Sequence, residues 1–397
     1  MSERLNKIIL LFLVLQVMTV SVSIAVSSIC FGIWGGLWII SLFSFKSQRI
    51  KISKLKEFKF LNYILLLYFI AELLSRIFAI YPEIALPGLK RLLLFLIFFA
   101  SIIEFYSLDL LYKSLLGILI FNSAISVFEI SLFIPKFLNE YKDIGVSEVR
   151  LDLFNHYLTI GEIKLLLFLS AFPLLFSKEK LLIDKKYWVI ILIPILISLI
   201  ITQSRNVYLA LFICLLIFGI FRNRKFLLIY LISLLILFII LPEDFQSRTK
   251  SIVDLKHPSN ETRIRMWETG FRIFLDYPVL GIGDAKMREI YSEYQTPLTD
   301  VEGSHFHSNY IMILVTTGLT GFILFLGIMI CLFYYTLVFL KRIKSEQQKL
   351  MIWGTLLILI GFNIFGITEW SFGDHEVMTV FLYLISFPFI IKLNSKS

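Results

Sequence analysis

Charge is scarce in this sequence. Asp, Glu, Lys and Arg make up 17% of its 397 residues, whereas 58% are apolar and the mean hydropathy is +0.84. That excludes a soluble protein, because one or two ordinary cores cannot keep so much apolar side chain out of water. Cysteine is sparse too. Cys30, Cys214 and Cys331 all fall inside apolar runs and match no disulfide or ligand spacing, which leaves packing as their role. Strict alternation of apolar and polar residues is missing, and with it the signature of a membrane β-barrel. There is no soluble basic domain to receive nucleic acid, so the net charge of +9 reports topology and contact with anionic lipid.

What the chain has in abundance is apolar runs close to the roughly 20 residues that cross the hydrocarbon of a bilayer. They predict an all-α polytopic membrane protein of about twelve transmembrane helices, near 7–25, 28–45, 59–79, 89–106, 111–132, 157–176, 187–204, 206–221, 226–241, 312–340, 350–367 and 376–392. The chain then divides into a nine-span region 1–241, a loop region 242–306 and a three-span region 307–397. Arg4 and Lys7 before "IILLFLVLQVMTVSVSIAV" imitate a signal peptide, but further spans follow at once, so this run is expected to stay as the first helix. The segments "KSQRIKISKLKEFK", "SKEKLLIDKK", "RNRK" and "KRIKSEQQK" are short and basic. With twelve spans they share one side with both termini, and the positive-inside rule makes that side cytoplasmic.

The opposite face would carry two long segments, 133–156 and 242–306, with short turns near Pro82 and Trp370. Loops of such length usually bind or catalyse something. In the larger one, "ETRIRMWETGFRIFLDYP" sets Ile264, Trp267, Phe271, Phe274 and Leu275 on one helical stripe ended by Pro278, an amphipathic helix expected to lie on the membrane surface. "YPVLGIGDAK" adds a Pro and two Gly, a turn able to bring backbone close to a ligand.

Topology delivers Arg205, Arg263 and the histidines of "GSHFHSNY" to this one face. Arg205 could be a snorkelling cation at a helix end, and Arg263 and Arg265 could meet lipid phosphates. Together, however, two planar guanidiniums suit a diphosphate, since each fork pairs with two oxygens. A neutral histidine beside them can accept a proton. This is apparatus for a hydroxyl that loses its proton as it attacks a sugar while a lipid diphosphate leaves.

In this order, "TQSR", "ETRIRMWETGFRIFLDYPVLGIG" and "HFHSNYIMILVTTGLTG" resemble the O-antigen ligase family and its polymerase relatives, over roughly 200–330. The resemblance implies an inverting, metal-independent glycosyltransferase of GT-C type, without cofactor, in the bacterial inner membrane with its active site facing the periplasm. It implies an undecaprenyl-diphosphate-linked glycan donor and, for a ligase, the lipid A core as acceptor; a polymerase would use a second glycan-lipid. Carried over by motif, His307 is the base, and Arg205 and Arg263 hold the diphosphate. Arg265 has no firm counterpart, and Ser308 stands where family members often carry Asn, so that Asn309 follows one place later.

A metal site on the histidine pair has little support in the sequence. His305 and His307 would point to opposite sides of an extended chain, and no HExxH or cysteine partner accompanies them. The turn near "VSSIC" also lacks the paired carboxylates that metal-dependent GT-C enzymes resemble one another in carrying. A purely structural alternative makes the pair part of a polar cap on a span. Weaker leads are Glu72 with Arg76, read as an ion pair; Lys90 and Arg91, read as phosphate contacts or anchors; Asn155, His156, Glu162 and Lys164, which could line an acceptor site; and Glu369, Trp370, Asp374 and His375 of "TEWSFGDHE". Arg150–Gly161 and Arg272–Gly283 share a spacing resembling one in some polymerases. A transporter is the non-enzymatic alternative, but no internal repeat supports it and the strongest charged candidates sit at the outer edge and not at the midplane.

Overall fold

Long apolar runs with few breakers leave the backbone one way to satisfy its hydrogen bonds in lipid, the helix. The computed structural model describes residues 2–44, 52–145, 148–240, 246, 254, 256–296, 303 and 305–395, and no strand occurs among them. Residues 46–51 of the first basic segment, and 242–245, 247–253, 255, 297–302 and 304 of the expected loop region, lie outside the described residues.

The helices are α1 (Ser2–Thr19), α2 (Ile24–Ser44), α3 (Lys59–Ile77), α4 (Phe95–Glu104), α5 (Leu108–Ile144), α6 (Tyr157–Ala171), α7 (Lys185–Ile201), α8 (Arg205–Arg222), α9 (Arg224–Ile240), α10 (Pro258–Asp276), α11 (Met287–Tyr294), α12 (Asn309–Arg342), α13 (Glu346–Phe365), α14 (His375–Ile385) and α15 (Phe387–Asn394). A 3-10 stretch, Leu86–Leu94, leads into α4. Among the described residues nine helical stretches are long and apolar enough to cross a membrane, so this is a multi-pass membrane protein. The other three expected spans fall on α1, α7 and α9. α1 begins with Glu3, Arg4 and Lys7, and the other two have 17 residues each, so the count of twelve rests on these three.

α6 is the centre of the bundle, buried along nearly its whole length against α7, α8, α13 and α14. Its Lys164, proposed from sequence for an acceptor site, instead pairs with Glu129 of α5 at 3.0 Å and donates to Ser126 at 2.9 Å, both partners buried. Three of the basic segments meet at one end: Glu179 accepts from the backbone N–H of Glu346 (3.1 Å) and Gln347 (3.3 Å), and Arg222 pairs with Glu346. At the other end Leu151 N–H donates to Ile201 (3.1 Å), Thr159 to Asp374 (2.7 Å) and Asn309 N–H to Gly366 (2.8 Å), which gathers the starts of α6, α12 and α14.

One expectation needs correction. The segment 133–156 is not a free loop, because α5 runs through Pro135 to Ile144. Phe133, Phe137 and Tyr141 recur every fourth residue there and pack on Val149, Leu151, Ile160 and Ile201, so tertiary packing continues a helix whose hydropathy has already fallen. In α10 the face packed on the protein is Met266, Thr269, Gly270 and Ile273. Phe271 and Leu275 of the expected stripe stay exposed, as do Val279 and Leu319 nearby, an apolar face suited to lipid.

The glycine turn also behaves differently from the expectation. α12 is broken at Gly318 (φ 63, ψ −167), and residues 278–283 fill the break: Leu319 N–H donates to Pro278 (2.8 Å), Ile282 N–H to Val315 (3.0 Å) and Gly283 N–H to Thr316 (2.9 Å). A Cβ on Gly281 would lie 2.5 Å from the Val315 oxygen. These glycines bring backbone against backbone, not against a ligand.

Candidate functional site

Two chambers lie at the end of the bundle where α6, α12 and α14 begin. The larger, about 550 Å³, is lined by His305 and His307, by Glu369, Trp370, Ser371 and Asp374 from the turn before α14, by His156, Thr159 and Glu162 around the start of α6, and by Asp284. The smaller, about 150 Å³, is lined by Arg150, Arg205 and Arg263 together with polar groups from the starts of α8 and α10. Leu158 lines both. One chamber therefore carries four carboxyl groups and the other three guanidiniums, with Leu158 on the wall of each.

His307 owes its position to an unusual backbone. Its φ of 44° is left-handed, a conformation costly for a residue with a Cβ and often found at functional sites. Ser308 follows in extended conformation and its side chain caps α12 by accepting from Ile311 N–H. The turn at His307 brings the rings of His305 and His307 to a centroid distance of 4.0 Å, so the expectation that the two would point apart is overturned. His307 Nδ1 lies 2.9 Å from Glu369 Oε1.

Glu369 joins the two chambers. Its Oε2 is 3.8 Å from Arg263 Nη2, and the preceding carbonyl, Thr368 O, accepts from Arg263 Nε at 3.1 Å. Burial alone would raise this carboxyl. Hydrogen bonding to His305 and His307 and the charges of His307 and Arg263 outweigh it and hold the pKa at about 2. An ionised carboxylate can only accept, so Nδ1 of His307 carries the shared hydrogen, and a ring protonated there alone leaves Nε2 as a proton acceptor. Burial also lowers the pKa of His156, opposed by the Glu369 charge and reinforced by Arg150 and His307.

The sign of the Glu369 shift gives a pH prediction. With a folded pKa near 2 against about 4.5 for the free group, its charge stabilises the folded protein above pH 4.5, and that contribution disappears as the pH falls towards 2. Glu369→Gln should lower Tm at pH 7 and flatten the decline of Tm between about pH 5 and pH 3. Thermal unfolding in detergent across that range checks it; an unchanged slope would show that the histidines and Arg263 do not hold this carboxyl down.

The other residues singled out in the sequence are placed as follows. Arg205 contacts His257 (3.2 Å) and Ser259, which ties the start of α8 to the start of α10. Arg265 pairs with Glu261 at 2.6 Å and lines neither chamber. Asn309 is buried and accepts from Phe372 N–H at 2.8 Å, so it braces the turn carrying Glu369. Arg91 is held by Asp284 at 2.7 Å and lies over the Trp370 ring, while Lys90 is exposed and lines neither chamber. Glu72 and Arg76 form the expected pair at 3.2 Å.

One ligand atom from each of His305, His307 and Glu369 lies within 4.8 Å of the others, so among the described residues these three could hold a metal ion. Sequence reasoning noted Glu369 only as an outward-facing charge. Its tie to His307 spans 62 residues, and the one local hint was an acidic residue at the polar start of a span.

A family model described as O-Antigen ligase matches residues 190–326. No curated protein gives a match. The matched stretch begins in α7 and ends inside α12, so it contains Arg205, Arg263, His305 and His307 and stops short of Glu369. Over that stretch, which includes the arginines of the small chamber and the histidines of the large one, the chain is similar to the O-antigen ligase family.

Proposed function

We propose that the protein is an inverting, metal-independent glycosyltransferase that moves a polysaccharide from undecaprenyl diphosphate to the lipid A core at the periplasmic face of the inner membrane. The observation that carries this reading is the His307–Glu369 pair at 2.9 Å in a chamber that adjoins one lined by Arg205 and Arg263. In the reaction, His307 Nε2 takes the proton of the acceptor hydroxyl as its oxygen attacks the anomeric carbon. The bond from that carbon to the phosphate oxygen breaks, and the lipid diphosphate leaves with the electron pair, its charge met by Arg205 and Arg263. Attack from the face opposite the leaving group inverts the anomeric centre. His156, Thr159, Glu162 and Asp374 offer polar groups to the acceptor sugar, and Trp370 offers a ring face.

The matching family has polymerase relatives by resemblance, and a polymerase would use the same donor and base with a second glycan-lipid as acceptor. Purified protein in detergent, given a lipid-diphosphate glycan with lipid A core or with a second glycan-lipid, separates the two. Transfer should proceed to the lipid A core and persist after chelation. Transfer to the glycan-lipid alone would make it a polymerase, loss of transfer on chelation would move His305, His307 and Glu369 to a metal centre, and no transfer to either acceptor would end the glycosyltransferase reading.

A further inference from the structure

Three helices begin around the small chamber. Tyr157 and Leu158 open α6, Arg205 and Asn206 open α8, and Ser259 and Asn260 lie in the first turn of α10. N–H groups in a first turn lack intrahelical acceptors, and each helix start carries partial positive charge, so three starts converging on one cavity favour an anion there. Arg205 and Arg263 add two full charges. Among the described residues that line it there is no carboxylate.

A third guanidinium enters from a segment remote from both. Arg150 lies between α5 and α6, where Lys136 Nζ donates to its carbonyl at 3.0 Å. Its Nη2 donates to Glu148 at 2.8 Å, and its guanidinium stacks over the Tyr157 ring with 4.5 Å to the centroid. Its Nε is buried without a hydrogen-bond partner. The side chain is thus held on the chamber wall by Glu148 and Tyr157, and its positive charge contributes to lowering the pKa of His156. Three planar forks suit two linked phosphates better than one, since each fork pairs with two oxygens.

We propose that Arg150 is a third donor to a diphosphate seat formed by the small chamber, a role that rests on the glycosyltransferase reading for the identity of the diphosphate but not for its chemistry. The probe is inorganic pyrophosphate, titrated calorimetrically into the purified full chain in detergent. Arg150→Gln should bind about tenfold more weakly than the unmodified protein, the scale of a lost charged hydrogen bond. Arg150→Lys should fall between, and Lys142→Gln, on the exposed end of α5, should match the unmodified protein. Binding by Arg150→Gln within twofold of the unmodified protein, or no binding by the unmodified protein, overturns the seat. So does glycerol phosphate binding as tightly as pyrophosphate, which would make the chamber a phospholipid headgroup contact. If Arg150→Gln does not fold, Arg150→Lys decides: threefold or greater loss at unchanged Tm supports the seat, and none overturns it. The titration needs no glycan transfer. Arg150-dependent pyrophosphate binding without transfer would defeat the transferase reading alone, and transfer by Arg150→Gln at unchanged donor KM would defeat the seat alone.

Discussion

His307→Ala is expected to slow glycosyl transfer by about a thousandfold, within the range for loss of a positioned general base. The hydroxyl would then have to attack with its proton still attached, because His307 is the imidazole that Glu369 holds at 2.9 Å, against 3.8 Å for His305. Donor binding should survive, since His307 does not line the arginine chamber. Single-turnover transfer and pyrophosphate titration on the same preparation measure the two separately. Glu369→Gln keeps the shape and a hydrogen-bonding group but loses the charge that fixes the ring's tautomer, so its loss should be smaller, about tenfold. Transfer by His307→Ala at the rate of the unmodified protein would remove the base assignment. Equal, complete losses on changing His305, His307 or Glu369, together with loss on chelation, would favour a bound metal over a base.

The second large effect is on the fold. Gly318→Ala is expected to destabilise the protein by about 3 kcal/mol, because φ 63 with ψ −167 lies in a region almost restricted to glycine. The added Cβ would also run into the Val279 carbonyl that Thr320 Oγ1 now donates to at 2.6 Å. Gly327→Ala in the same helix is the comparison: its backbone is ordinary and a Cβ would meet only Ile64, at 3.4 Å. A Tm for Gly318→Ala as high as that of Gly327→Ala would show that the break in α12 tolerates a side chain. Transfer should fall with stability, since residues 278–283 seated in that break connect α10 to Asp284 and the larger chamber.

What could be read in the sequence follows from how local each signal is. α10 runs to Asp276 just before Pro278, because capping and a helix-breaking ring act within a few residues. Arg205, Arg263 and His307 meet at one end of the bundle, because span order alone carries them there. Which face α10 buries was not legible, because the helix has two apolar sides, Met266 with Ile273 and Phe271 with Leu275, and only its packing against α12 chooses between them. The convergence of His305 and His307 turned on one dihedral, φ at His307, which residue type does not announce. Glu369 and Arg150 stayed out of the inferred site because each acts on residues that only the bundle brings near.

Leu158 gives the two chambers a further property. Among the described residues it is the side chain common to both linings, an apolar group between a wall rich in carboxyl groups and a wall of guanidiniums. The two walls also meet directly, where Glu369 reaches Arg263 at 3.8 Å, so charges of opposite sign face each other at this boundary. In the proposed reaction, an anion formed at the boundary is drawn towards the arginines and repelled from the acids, while an uncharged sugar feels little of either. In that proposed transfer such a gradient would act as a rectifier, holding the departing lipid diphosphate on one side and leaving the glycosylated acceptor free to go out by the other.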